Sequence, residues 1–251
     1  ASASARTRPL AISRRESPTL ISGSGGFTPA TGSTLISANA NGFNTSGASG
    51  SVQTTTRTFT ATGVGYTYNG SGAQAAGTAP GAAVSISNLT QNNSAGLSLS
   101  SDIPSVTGTL TMTSGSITLG SFNLGIGAAG TISGASSARY IITGGSGQLR
   151  KSSLSTAFTF PVGNSSYNPV TLTNSGTADQ YGIRVLDNTA SPAPNNSPKI
   201  VNRYWEIAES VAGGGNLAVT AQYNSGEPNA GFAGGAVLNM GIHNGTDWAV
   251  V

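Results

Sequence analysis

The sequence has no cysteine, so neither a disulfide nor a thiolate-bound metal can brace the fold. It has a single histidine, His243. Zinc, which is held chiefly by His and Cys side chains, is not expected with one such residue. Charge is scarce too: 11 Lys or Arg and 8 Asp or Glu make up 8% of 251 residues. An ordinary soluble domain carries about 25%. That shortage excludes coiled coils and helical arrays, which are built on Glu, Lys and Arg. It also leaves no basic surface with interleaved aromatics, so no nucleic-acid partner is expected. The net charge of +3 arises largely from Arg6, Arg8, Arg14 and Arg15; the remainder is near neutral. No apolar run approaches the roughly 20 residues that span a bilayer, so no membrane span is expected. A signal-peptide apolar region is also missing, and a chain opening on Ala1 rather than Met is expected to be either a processed chain or a piece cut at a chosen boundary.

What replaces charge is small and neutral: 36 Gly, 36 Ser, 30 Thr and 20 Asn. Val, Ile, Thr and Tyr recur in short runs, the residue types that fit a pleated surface. Between Ser17 and Ala138 the only charges are Arg57 and Asp102. In that segment Val84-Ser-Ile86, Leu97-Ser-Leu99, Leu110-Thr-Met112, Ile117-Thr-Leu119 and Phe122-Asn-Leu124 alternate with period two. No helical stripe competes. A 20-residue echo overlies the alternation: Leu97-Ser-Leu99 returns as Ile117-Thr-Leu119, Val106 as Ile126, and Met112 as Ile132. Short strands at such a period predict a β-helix or solenoid, with a short-stranded sandwich as the alternative.

After about residue 152 charges return, and longer strands are expected at Phe158–Pro161, Val170–Thr173, Tyr181–Leu186, Arg203–Ala208, Leu217–Tyr223, Val237–His243 and Trp248–Val251. Ser191–Pro198 reads as a loop. This spacing fits an antiparallel, immunoglobulin-like β-sandwich. The expected organisation is therefore all-β: an extended arm over 1–25, a short parallel β-solenoid over 26–152, and a sandwich over 153–251. The last expected strand meets the end of the sequence, which implies a truncated sheet or one completed by another chain.

The motifs Tyr68-Asn-Gly-Ser-Gly-Ala-Gln, Ile86-Ser-Asn-Leu-Thr-Gln-Asn-Asn-Ser-Ala-Gly-Leu, Val106-Thr-Gly-Thr-Leu-Thr-Met-Thr-Ser-Gly, Gly134-Ala-Ser-Ser-Ala-Arg-Tyr-Ile-Ile-Thr, Gly147-Gln-Leu, Phe160-Pro-Val-Gly, Tyr167-Asn-Pro-Val-Thr-Leu-Thr-Asn and Val201-Asn-Arg-Tyr-Trp-Glu-Ile follow one another in order. As a series they resemble repeats of large secreted surface proteins of Bacteroidota. The resemblance implies modular adhesins or envelope-associated fibres, exported by the type IX secretion system through a separate C-terminal sorting domain. No such sorting domain is visible among these residues, and the resemblance implies no catalytic ones.

Enzymatic chemistry finds little to build on. Glu206 and Glu209 are three apart in an expected strand, hence on opposite faces, and do not pair as a glycosidase dyad. Acids elsewhere are singletons, too few for calcium. The run Gly213-Gly-Gly has no following helix or Lys to cradle phosphate. No cofactor is expected, and the protein reads as a non-enzyme. Binding or assembly is better served. Leu10, Ile12, Leu20 and Ile21 give the N-terminal arm apolar contacts for docking on another copy of the chain by strand pairing. Tyr204, Trp205, Tyr223 and Trp248 could stack on surface glycans as an accessory module, although Trp205 equally suits a core anchor with Arg203 and Tyr204 outward. Thr109-Leu-Thr-Met-Thr113 sets three Thr on one strand face, a solvated face or a flat surface for ice or sugar. The leading expectation is an extracellular, self-assembling fibre subunit at the cell surface.

Overall fold

Short runs with alternating apolar residues, broken by Gly, Ser and Asn, cannot grow long strands and instead turn a corner every few residues. The computed structural model, which describes residues 20–187, 200–232, 240–243 and 248–250, is all-β with no helix among them. Three stacks of short parallel strands coil into a β-solenoid of about four turns. The first face comprises β2 (Thr34–Ser37), β4 (Gly65–Tyr68), β6 (Leu89–Asn92), β9 (Thr109–Ser114) and β12 (Thr131–Ser133). The second comprises β5 (Gln74–Ala75), β7 (Leu97–Ser98), β10 (Ile117–Thr118), β13 (Ile141–Ile142) and β16 (Val162–Gly163). The third runs through β8 (Ile103–Val106), β11 (Leu124–Ile126) and β14 (Leu149–Leu154).

Inward side chains stack in columns. On the first face Leu35, Tyr66, Leu89, Leu110 and Ile132 are in register. On the second, Leu97, Ile117, Ile141 and Val162 follow Gln74. On the third, Ile103, Leu124 and Leu149 align. Most of these are fully buried. Burial of such columns, at about 25 cal/mol per Å² of apolar surface, is the main stabilising term in a chain without disulfides. Some of the buried polar residues serve the corners. Gln74 Nε2 donates to the carbonyls of Ser37 (2.8 Å) and Asn39 (2.9 Å), and Asn93 Nδ2 donates to that of Gly72 (2.7 Å). The corners are tight: at Gly115, with φ +69°, a Cβ would lie 2.1 Å from the Asn93 carbonyl oxygen.

The solenoid is closed differently at its two ends. At the first, β1 (Ile21–Phe27) pairs in parallel with β3 (Val52–Arg57), Ile21 opposite Val52. An aromatic plug seals the coil there: Phe27 to Phe59 is 5.6 Å between ring centroids, and Phe43 contacts Tyr66 at 5.7 Å and Tyr68 at 6.1 Å. At the second, β18 (Asp179–Leu186) pairs antiparallel with β14, and β19 (Tyr204–Glu209) with β18. A separate antiparallel sheet holds β15 (Phe158–Phe160), β17 (Val170–Asn174) and β20 (Leu217–Ala221), and β21 (Gly241–His243) pairs with β22 (Trp248–Val250).

The C-terminal strands are thus antiparallel, as expected, yet β18 and β19 extend a solenoid sheet. Parallel stacking also runs on past residue 152, because Val162 still finds Ile141 beneath it. One element of the expected echo is corrected: Ile132 stacks on Leu110, not on Met112. That rung holds 22 residues rather than 20, the two extra being taken up between β9 and β12. The Ser191–Pro198 loop, Val237 and the rest of 233–239 lie outside the described residues.

Candidate functional site

Three parts of the fold concentrate features that a partner or ligand could use. The first is the outer surface of β2, β4, β6, β9 and β12. Because inward residues there are 35, 66, 89, 110 and 132, the next residues point outward, and Ile36, Thr67, Thr90, Thr111 and Ser133 form a column in register. A second column carries Thr109 on Thr131, with Asn88 Oδ1 accepting from the Thr109 backbone N–H at 2.8 Å. Hydroxyls touch across rungs: Thr109 and Thr131 at 3.2 Å, Ser133 to Thr111 at 3.5 Å. Alternation along β9 puts Thr109, Thr111 and Thr113 on one face; the next rung repeats Thr109 as Thr131 and Thr111 as Ser133, while Thr113 falls at a register shift.

The second is the strand β1. Its residues Ile21-Ser-Gly-Ser-Gly-Gly-Phe27 carry no charge, and the five inner ones are exposed. Among the described residues only β3 pairs with it. Of the arm residues, Ile21 packs against the solenoid core and Leu20 is exposed, whereas Leu10 and Ile12 lie outside the described residues.

The third is a polar knot where the C-terminal strands meet. Glu227 is buried and accepts hydrogen bonds from Asn168 Nδ2 (2.7 Å), the Asn224 backbone N–H (2.7 Å), Asn224 Nδ2 (2.8 Å) and Ser166 Oγ. Arg203 Nη2 lies 3.1 Å from Glu227 and its Nε 3.6 Å from Asp187. Burial alone would raise the Glu227 pKa, but the bonds from Ser166, Asn224 and Asn168 outweigh it and hold the carboxyl below its ordinary value. Every oxygen of Glu227 is already committed to protein donors, so the knot works as a clasp between the 164–169 segment, β19 and the 222–229 loop. Sequence reasoning missed it, since Arg203 and Glu227 are 24 positions apart.

The expected outward position of Arg203 is corrected here. It precedes β19, so strand alternation does not govern it, and the buried carboxylate draws it inward. Trp205 does anchor: it packs on the core and its Nε1 donates to the Asn168 carbonyl at 3.0 Å. Tyr204, the next residue along the strand, points to the other side. Tyr223 packs edge-on against Phe232 at 5.8 Å. Trp248 lies in β22, its side chain outside the described residues. The structure does not bring Tyr204 and Trp205 onto one stacking surface. Glu206 pairs with Arg184 at 2.6 Å, while Glu209 accepts from Tyr181 Oη at 2.9 Å. Burial, the Glu209 hydrogen bond and the nearby charges of Glu209 and Asp179 push the Tyr181 pKa up to about 12. A shallow cleft of about 310 Å³ opens between Tyr181, Ile207, Glu209 and Leu217.

No group of three or more His, Asp or Glu among the described residues could hold a metal, and no helix long and apolar enough to cross a membrane occurs among them. No family model, no curated protein and no solved structure matches the chain.

Proposed function

We propose that the protein is a non-enzymatic, extracellular structural or adhesive protein, the repeating subunit of a cell-surface fibre assembled by β-strand pairing between copies. The observation that carries this reading is β1, a seven-residue strand without charge that has a described partner on one side only. Edge strands of monomeric proteins are ordinarily blunted by charge, Pro or bulges. β1 has neither charge nor Pro, and one register shift, between Gly23 and Gly26, interrupts its pairing with β3. An edge without charge or Pro accepts a further strand through backbone hydrogen bonds. At the far end of the first face, β12 likewise closes its sheet with no described strand beyond it. A contact between unlike ends repeats without closing and so propagates a filament. The sparse charge between Ser17 and Ala138 supports the same reading, because few like charges oppose the end-to-end approach of copies. In this reading residues 153–251 form the sandwich-like end of each subunit, with β15, β17 and β20 as one layer and β18 and β19 as the other. The resemblance of its motifs to type IX-exported surface proteins of Bacteroidota supports a cell-surface setting for such a fibre.

The test is electron microscopy of concentrated protein beside two variants, deletion of residues 1–25 and the double change Ser22→Lys, Ser24→Lys on β1. Filaments from the unmodified chain that shorten or vanish in both variants are the expected result. Undiminished filaments in the variants, or a strict monomer at every concentration of the unmodified chain, would overturn the reading.

A further inference from the structure

The outward face of β2, β4, β6, β9 and β12 is not used by the assembly just described. We propose that it is an ice-binding surface, engaging a lattice of ordered water through its threonine array.

The face has the chemistry for this. Its central column of Ile36, Thr67, Thr90, Thr111 and Ser133 is joined by Thr34, Asn88, Thr109 and Thr131 alongside. No charged group and no aromatic ring stands among these outward positions. Each Thr offers a methyl, which favours caged water, beside a hydroxyl, which can occupy one site of a water network.

The face also has the geometry. Neighbouring rungs are spaced about 4.8 Å apart and alternate residues along a strand about 6.7 Å apart. Both distances lie close to oxygen repeats on the prism faces of hexagonal ice. A periodic solid is the ligand that a two-dimensional array of this kind can match at many points at once. Twist would ordinarily spoil such a match; side-chain ladders between stacked strands are what flatten a sheet, and Thr109 with Thr131 and Ser133 with Thr111 supply such contacts here.

Rigidity is the third component. Directly behind the array Leu89 and Leu110 are each 0% exposed and Tyr66 is 2% exposed, so the strands that carry Thr67, Thr90 and Thr111 are fixed from within. The contacts of Thr109 with Thr131 and of Ser133 with Thr111 restrain the hydroxyls further. An array already ordered loses little conformational entropy on binding. Polysaccharide is the competing flat ligand. Recognition of sugar rings usually draws on aromatic side chains that stack on their faces, and this face has none.

The experiment grows ice slowly from a solution of the full-length, fluorescently labelled chain and measures the fraction incorporated, with serum albumin as the excluded control. Thr90→Lys and Thr111→Lys place a long cation in the array, and Thr118→Lys on the exposed side of β10 controls for added charge. Circular dichroism confirms that each variant folds. Several-fold enrichment of the unmodified chain and of Thr118→Lys in ice, lost in folded Thr90→Lys and Thr111→Lys, is the expected result. Exclusion of the unmodified chain to the level of albumin overturns the proposal, as does equal incorporation of all the folded variants. Binding to insoluble cellulose or chitin that Thr111→Lys abolishes, without enrichment in ice, overturns it in favour of a glycan surface. Filament formation is scored separately, so failure of either reading is distinguishable from failure of the other.

Discussion

Ile117 stacks directly on Leu97, its Cα partner in the neighbouring rung, and both side chains are buried to within 1% of complete. Ile141 continues the column above and Val162 closes it. Each side chain is thus the floor of one rung and the ceiling of another. A hole in the middle of the column is confined by neighbours on both sides and collapses poorly.

Replacing Ile117 by Ala is expected to cost about 2–5 kcal/mol, and Ile117→Val about 0.5–1.5 kcal/mol. Urea unfolding of both variants checks this through the shift in midpoint at unchanged slope. A cost for Ile117→Ala no larger than that for Ile117→Val would show that the column relaxes around the loss.

Lys151 is the expected weak point for polar substitution. Its buried ammonium donates to the carbonyls of Gly127 (2.6 Å), Ala128 (2.8 Å) and Gly130 (2.9 Å), and it lies 5.0 Å from the Phe158 ring centroid. Burial lowers its pKa. Lys151→Met keeps the stem but strands three carbonyls, for a loss on the order of 2–4 kcal/mol. The melting temperature of the variant reads the loss, and a melt within a degree or so of the unmodified chain would refute the assignment.

Acid should open the clasp around Glu227. Its folded pKa lies below the ordinary 4.5, so the unfolded chain binds the proton more readily. The contribution to stability is therefore complete above the unfolded value and is lost as the pH falls through the folded one. Glu227→Gln is expected to be less stable than the unmodified chain at pH 7, by about 1–3 kcal/mol. It should also show a shallower decline of stability below the ordinary value. Parallel pH curves for the two proteins would remove Glu227 from the acid response.

Much of the solenoid was legible because its signal is local. The pairs Leu97 with Ile117 and Val106 with Ile126 stand in register 20 residues apart, as their echo predicts. Where corners lengthen, the echo slips: Ile141 follows Ile117 by 24 residues and Leu149 follows Leu124 by 25. Loop closure costs little more for a few extra residues, so rung length drifts while the buried columns stay aligned. The strands at Phe158, Val170, Tyr181, Tyr204 and Leu217 were likewise visible as apolar alternation.

Alternation, turn residues and the absence of cysteine are properties of neighbours in the chain, and they alone determined an all-β protein with a solenoid of short rungs. Which strand lies beside which across the C-terminal half was decided only in three dimensions. Arg203 met Glu227, Lys151 met the 127–130 carbonyls, and β18 joined β14 because buried charge and unpaired backbone must find partners wherever the fold supplies them. The threonine face belongs to both levels. Thr109-Leu-Thr-Met-Thr113 sets the spacing along one strand, and the stacking of rungs turns that single row into a surface.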